Sequence, residues 1–190
     1  KKKLFIISNE AISVKDGKFY CDNIDLKTTP ENLNKTFEVN LLARKSNKLR
    51  SHEIKIKKIK LYNILFSYIS SAITASKKKD VKYLIISISP YTFLITIFLK
   101  LLGKKTIVYL RSDGYSEYKA ILGKVGPTIY HLMFTIISLI SNLISCRNYI
   151  LKGKKGKIVS PSQLDSIWLR QPKKVEIKIY DPSATHLKAD

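Results

Sequence analysis

The feature that most limits what this chain can fold into lies between residues 83 and 110. Tyr83 to Ile88 is an unbroken apolar run that closes on Ser89-Pro90. Tyr91 to Leu102 has the composition and spacing of a helix and stops at Gly103, and Thr106 to Leu110 is a second apolar run. Short apolar runs bounded by turn residues read as strands buried on both faces, and glycine is the usual residue just past a helix end. Strand, helix and strand within about thirty residues make a βαβ unit, whose right-handed crossover leaves the two strands parallel. The expected fold class is therefore α/β, a Rossmann-like parallel sheet flanked by helices.

The rest of the chain fits around that unit. Leu4 to Ser8 predicts a central strand. Asn9 to Asn34 is polar, with Asp16-Gly17 and Thr29-Pro30 as turn signals, and predicts a long excursion of the kind that often carries function. Phe37 to Ala43 predicts a strand, and the alternation Ile54-Lys55-Ile56-Lys57 a half-exposed strand over Glu53 to Ile59. Leu61 to Ser76 has helical periodicity, with Lys77-Lys78-Lys79 suited to the negative end of the helix dipole. Pro127 opens an apolar segment, Ile129 to Ser145, whose polar residues His131, Thr135, Ser138, Asn142 and Ser145 form one narrow stripe. The favoured reading is a mostly buried helix, with an interfacial helix or a membrane span as alternatives; the length is at the lower limit for a span and the stripe suits lipid poorly.

Lys152 to Lys157 has the composition of a phosphate-cradling loop but not the P-loop order, and reads as a solvated surface loop. Ile158-Val159 predicts a short strand, Ser162 to Leu169 a helix capped by Ser160 or Ser162, and Val175 to Tyr180 a last strand. Trp168, with Leu164 and Ile167, reads as core more readily than as a sugar-stacking platform. Residues 1–172 are expected to form one domain, and 173–190 the start of a linker or of a second domain. The chain is expected to continue beyond Asp190.

Charge narrows the partners. The formal net charge is +21, yet only five of the 35 basic residues are arginine. A groove that reads phosphates or base edges recruits arginine for its planar fork, and these lysines are dispersed, so nucleic acid is not the expected partner. AT-rich coding bias accounts for the lysine excess as well as a selected function does; where the charge is functional, an anionic membrane surface fits best, because apolar helices lie beside the lysine clusters. Cys21 and Cys146 stand in no metal or redox spacing, which points to a reducing compartment. Leu4 to Ile7 is too short for the apolar region of a cleavable signal. The expected location is cytoplasmic, with peripheral attachment to the inner face of the membrane.

In an open parallel sheet, ligands bind at the carboxyl ends of the strands beside the topological switch point. That rule selects Ser8-Asn9-Glu10, Arg44-Lys45, Ser89-Pro90 and Arg111-Ser112-Asp113-Gly114. At the last, Arg111 and Asp113 suit hydrogen bonds to sugar hydroxyls or a phosphate, Gly114 permits close backbone approach, and Tyr115 and Tyr118 could stack on a pyranose face. The plainer alternative makes Asp113 a helix cap with Arg111 as its ion partner, and Asn9-Glu10 a solvated turn. His52, His131 and His186 form no metal or triad constellation, and no nucleophile elbow, dinucleotide glycine fingerprint or zinc spacing occurs.

Taken together, the series Tyr83–Ser89-Pro90, apolar helix, Lys104-Lys105-Thr106-Ile107-Val108-Tyr109, the Leu110–Gly114 turn, a long helix, and Ile158-Val159-Ser160-Pro161-Ser162 resembles the N-terminal domain of family-four GT-B glycosyltransferases over roughly residues 1–170. The resemblance implies retaining transfer of a sugar from a nucleotide-activated donor to a hydroxyl of a glycan or lipid-linked acceptor, as in cell-surface polysaccharide synthesis. It places an acceptor turn at Arg111, Asp113 and Gly114. Two departures stand out: Asn9-Glu10 replaces the family's glycine-rich turn after the first strand, and the donor-binding residues belong to a second domain that this sequence does not include. The expected acceptor-binding set is Asn9, Glu10, Ser89, Arg111, Asp113, Gly114 and Tyr115, with no catalytic or metal-ligating residue and no cofactor held by this chain. The nucleotide-sugar donor would sit on the missing second domain. Alternatives are a non-catalytic doubly wound ligand-binding module and a basic nucleic-acid-binding domain.

Overall fold

A computed structural model describes residues 1–76 and 81–160. In chain order it contains β1 (Lys3–Lys15), β2 (Lys18–Cys21), α1 (Ile24–Leu33), β3 (Glu38–Lys45), β4 (His52–Ile54), β5 (Ile59–Tyr62), α2 (Leu65–Ser76) and β6 (Val81–Ile86). There follow α3 (Pro90–Leu101), β7 (Thr106–Leu110), α4 (Gly114–Leu122), α5 (Gly126–Ile140), β8 (Asn142–Ser145) and β9 (Gly156–Ile158), with short 3-10 turns at Gly123–Val125 and Asn148–Leu151. The protein is α/β, with an open, mixed but mostly parallel sheet flanked by helices. Seven strands run parallel in the order β5-β3-β1-β6-β7-β8-β9, while β2 and β4 extend the far end of β1 antiparallel.

The βαβ unit is present as expected. β6 and β7 pair in parallel, Tyr83 with Thr106 through Ile86 with Tyr109. Ser89 and Thr92 cap α3 reciprocally, Pro90 opens it, and the chain leaves it through Gly103 at φ +69.

Four expectations change. β1 does not stop at Ser8 but continues to Lys15, with its register against β3 shifting between Ile7 and Ala11. The extension is held because Ser13, Val14 and Lys15 pair with β2 across the Asp16-Gly17 turn, where φ is +50 and +72. The polar stretch that follows is therefore a hairpin and a helix rather than a loop. Asn23 caps α1 by accepting from Asp25 N at 2.9 Å, and Pro30, read as a turn signal, lies inside that helix. The alternating run Glu53 to Ile59 splits between β4 and β5, and Leu61-Tyr62 belongs to β5 rather than to the next helix. Finally, α5 ends at Ile140, and Asn142 to Ser145 become β8 beside β7. An apolar run reads the same as a buried helix or a buried strand, so periodicity did not mark the switch at Ser141.

The sheet's two faces bury two cores. Phe5, Ile7, Tyr83, Ile85, Val108, Leu110 and Leu143 meet α2, α3 and α5, whereas Leu4, Ile6, Leu41, Leu84, Ile86 and Tyr109 share the other face with α1 and the β2–β4 extension. The helices α4 and α5 form an antiparallel hairpin, for the rings of Tyr115 and Phe134 are 6.1 Å apart. The apolar stretch from Gly114 to Ile140 is thus folded back on itself, and α5 is half-buried, its inward residues Tyr130, Met133, Phe134 and Ile137 opposed by exposed Leu132 and Leu139. A Cβ at Gly126 would lie 2.0 Å from the Tyr118 carbonyl oxygen, so the two helix backbones touch there. Lys77 to Lys79, the helix expected at Ser162 to Leu169, the strand expected at Val175 to Tyr180 and the domain boundary at 172 lie outside the described residues.

Cys21 is fully buried, its thiol donates to the Asn23 carbonyl at 3.3 Å, and burial, aided by the Glu10 carboxylate, pushes its pKa up to about 12. The thiolate is the reactive form. At pH 8, Cys21 should resist a maleimide in the folded protein and react only on unfolding, while the half-buried Cys146 reacts first. Mass-mapped labelling along a urea series checks the order.

Candidate functional site

The chain moves outward from β1 to β3 and β5, then returns to the other side of β1 to lay down β6, β7 and β8. The topological switch point therefore falls between β1 and β6, and the carboxyl ends of those strands open the crevice where ligands bind in such sheets. Ser8, Asn9 and Glu10 reach it from the irregular stretch of β1. Ser87 and Ser89 reach it from the end of β6, and Arg111 to Gly114 from the end of β7.

An ion pair spans this crevice. The Arg111 guanidinium donates through Nη2 to Glu10 Oε1, with side-chain exposures of 11% and 32%. Glu10 Oε1 also accepts from Asn23 Nδ2 at 3.1 Å, and Arg111 Nε donates to Ser87 Oγ at 3.4 Å. The pair thus joins β1, β7, the start of α1 and the end of β6. Ser87 itself holds φ +62, unusual for a non-glycine residue, fixed by its N–H donating to the Tyr109 carbonyl and its own carbonyl accepting from Thr92 Oγ1.

Two polar atoms beside the pair are left open. Arg111 Nη1 and Asp25 Oδ1 are buried without a hydrogen-bond partner. The Tyr109 hydroxyl has its pKa raised by burial first, then by Cys146 and Asp25, and lowered in part by Arg111. Each such orphan costs about 1–3 kcal/mol, and a buried polar group without a partner marks a place for a water, an ion or a ligand.

The other expected residues divide. Asp113 caps α4, accepting from Tyr115 N at 3.2 Å and Ser116 Oγ at 3.1 Å, with Lys152 Nζ at 3.4 Å as its ion partner. The capping alternative is observed, but Arg111 pairs with Glu10 instead of Asp113. Ser89 is committed to the cap of α3. Gly114 makes room for a ring: a Cβ there would sit 2.1 Å from Tyr130. Tyr115 bonds His131 Nδ1 through its hydroxyl at 2.8 Å and lies under Lys152 Nζ, away from Glu10, and burial followed by Asp113 raises its pKa. Glu10 and Arg111 are thus brought together; Asn9 faces the hollow on the β3 side, Gly114 shares a small hollow with Arg111, Ser87 and Tyr130, and Asp113 and Tyr115 are engaged with the α4–α5 hairpin and Lys152.

Sequence reading missed an aromatic hollow on the β3 side. Asn9, Arg44, Tyr62, Asn63, Ile64, Tyr68 and Tyr91 line it, around a space of about 10 Å³, room for one water. Tyr68 donates to the Ser8 carbonyl at 2.5 Å, and the rings of Tyr62 and Tyr91 meet it edge-on at 6.2 and 6.3 Å. Arg44 had been placed at the rim; the tyrosines carried no signal, being three of eleven. Among the described residues no group of three or more His, Cys, Asp or Glu could hold a metal ion.

What fold and site define is an α/β protein, compatible with a Rossmann-like arrangement, with a charged, aromatic-flanked crevice at its switch point. Compared with known proteins, the chain matches no family model, no curated protein and no solved structure.

The Glu10–Arg111 pair lies between exposed and buried regimes, so Glu10→Gln should lower stability by about 1–2 kcal/mol. Urea denaturation of Glu10→Gln, Arg111→Gln and the double variant should give non-additive losses; additivity within error would show that the two groups are not coupled.

Proposed function

We propose that this chain is the acceptor-binding half of a GT-B, family-four-like glycosyltransferase, holding a glycan or lipid-linked acceptor at the switch-point crevice. The observation that carries the reading is the buried, unpartnered donor Arg111 Nη1 on the guanidinium that pairs with the Glu10 carboxylate at the switch point. A sugar hydroxyl both donates and accepts, and could answer that donor while donating to the Glu10 carboxylate. Asn9 and Arg44, at the mouth of the neighbouring tyrosine-lined hollow, supply further polar groups at the same end of the sheet.

In that reading a nucleotide sugar on a second Rossmann-like half supplies the electrophile. The acceptor oxygen forms a bond to the anomeric carbon, the bond to the nucleoside diphosphate breaks, and the hydroxyl proton passes to the departing diphosphate oxygen, with retention as the resemblance implies. This chain's residues orient the acceptor and carry no catalytic group of their own.

A membrane clause belongs to the same proposal. The tip of the α4–α5 hairpin is the turn at Gly123–Val125. It exposes Ile121 (74%), Leu122 (48%) and Val125 (61%) beside Lys119 and Lys124, apolar and cationic side chains suited to an anionic cytoplasmic leaflet.

Titration of the labelled protein by NMR with oligosaccharide and lipid-linked sugar acceptors tests the first clause. Asn9→Ala and Arg44→Ala should each weaken binding by about 10-fold without unfolding the chain. No binding by the unaltered protein, or binding indifferent to both substitutions, overturns it. For the second clause, the protein should float with anionic vesicles at low salt, and Leu122→Asp with Val125→Asp should release it. Failure of the unaltered protein to float removes the membrane clause and leaves the acceptor clause standing.

A further inference from the structure

A parallel sheet is normally covered on both faces. Here α2, α3, α4 and α5 all lie on one face, and among the described residues the other carries only α1 and the β2–β4 extension, over β1 and β3. Over β6, β7 and β8 that second face carries an apolar groove of about 400 Å³, a size usual for small-molecule sites. Leu4, Leu84, Ile107, Tyr109 and Ile144 make its floor, and Phe37 stands on one wall. The parallel pairing sets Leu84 beside Ile107 and Tyr109 beside Ile144. Ile107 is 36% exposed although β7 is flanked by strands on both sides. An uncovered aliphatic side chain in the middle of a sheet marks a place for a partner.

Charge and backbone together select the partner. Among the described residues that line the groove, Lys82 is the only charged one, so a cation stands at one end and no carboxylate there answers it. Lys82 projects from β6 beside Leu4, with its ammonium 5.9 Å from the centre of the Phe37 ring. A second copy of this chain fits badly, because a two-fold interface sets a patch against itself and Lys82 would meet its own equivalent. A peptide fits badly too. The backbones of β1, β6, β7 and β8 are spent on one another, so a main chain laid over the floor would lose water from its N–H and C=O groups and find apolar side chains instead. An aliphatic chain carries no such groups, and an acid at its end would pair with the ammonium.

We propose that this groove binds a long-chain fatty acid, its acyl chain lying over Leu84, Ile107, Tyr109 and Ile144 and its carboxylate at Lys82. The inference goes beyond the sugar-transfer reading and does not depend on it, and its failure would leave that reading untouched.

Calorimetric titration of the full chain with octanoate, decanoate and laurate, each below its micelle concentration, should show one molecule bound per chain. Affinity should rise about fourfold for each added methylene. Laurate should bind better than dodecylamine, which has the same chain and the opposite charge. Lys82→Gln, at an exposed position, should weaken laurate about 5-fold and remove that preference. Ile107→Asp should abolish binding while the far-ultraviolet dichroism stays unchanged; the Lys82→Gln arm stands even where Ile107→Asp does not fold. No binding by the unaltered protein overturns the proposal. So does laurate and dodecylamine binding equally, or several molecules binding regardless of Ile107→Asp, as scattered surface lysines would allow. A dimer that dissociates on dilution and is broken by Ile107→Asp assigns the groove to a second copy and overturns it as well.

Discussion

Parallel strands hydrogen-bond only to one another, and each side chain must be buried above or below them. In this protein that requirement governs β1, β6 and β7. Tyr83, Ile85, Val108 and Leu110 point to one face while Leu84, Ile86 and Tyr109 point to the other, and each set needs its own cover. The order of the helices follows. Crossovers leading away from β1 in one direction deposit α1 on one face, and those leading the other way deposit α2 to α5 on the opposite face. The crevice at the change of direction is a by-product of that geometry, since the connections leaving β1 and β6 turn to opposite faces of the sheet.

The polar residues at the crevice have two separable roles. Asp113 and Ser89 terminate backbone helices, satisfying N–H groups that would otherwise be orphaned. Glu10, Arg111, Asn23 and Ser87 tie four elements together across the switch point. Arg111 in particular enters a mostly buried position with one guanidinium nitrogen unanswered. Retaining an unsatisfied donor there costs stability, which is the kind of exception seen where a site must bind something.

Much of the framework is legible in the sequence. The β6–α3–β7 unit announces itself because Gly103 and Ser89-Pro90 punctuate apolar runs of unambiguous length. The extended β1 was hidden because Asn9-Glu10 looks like a loop; its strand character is imposed by pairing with β2, a tertiary effect. Ser141 was equally silent, since Ile140, Leu143 and Ile144 suit a buried helix as well as a strand. At the site, Glu10 and Arg111 were selected separately by strand-end position. Their pairing across a sequence separation of 101 residues is a product of topology, and no local pattern encodes it. The tyrosines around Asn9 were invisible for the opposite reason, being too common in this chain to stand out.

The glycine pair of the helical hairpin carries a mechanical implication. With the α4 and α5 backbones in contact at Gly126 and the Tyr130 ring pressed over Gly114, neither helix can slide without lifting the other. A side chain at position 126 would force the two backbones apart, and one at 114 would displace the Tyr130 ring, so the seam of the hairpin is set by two residues that contribute no side chain to it.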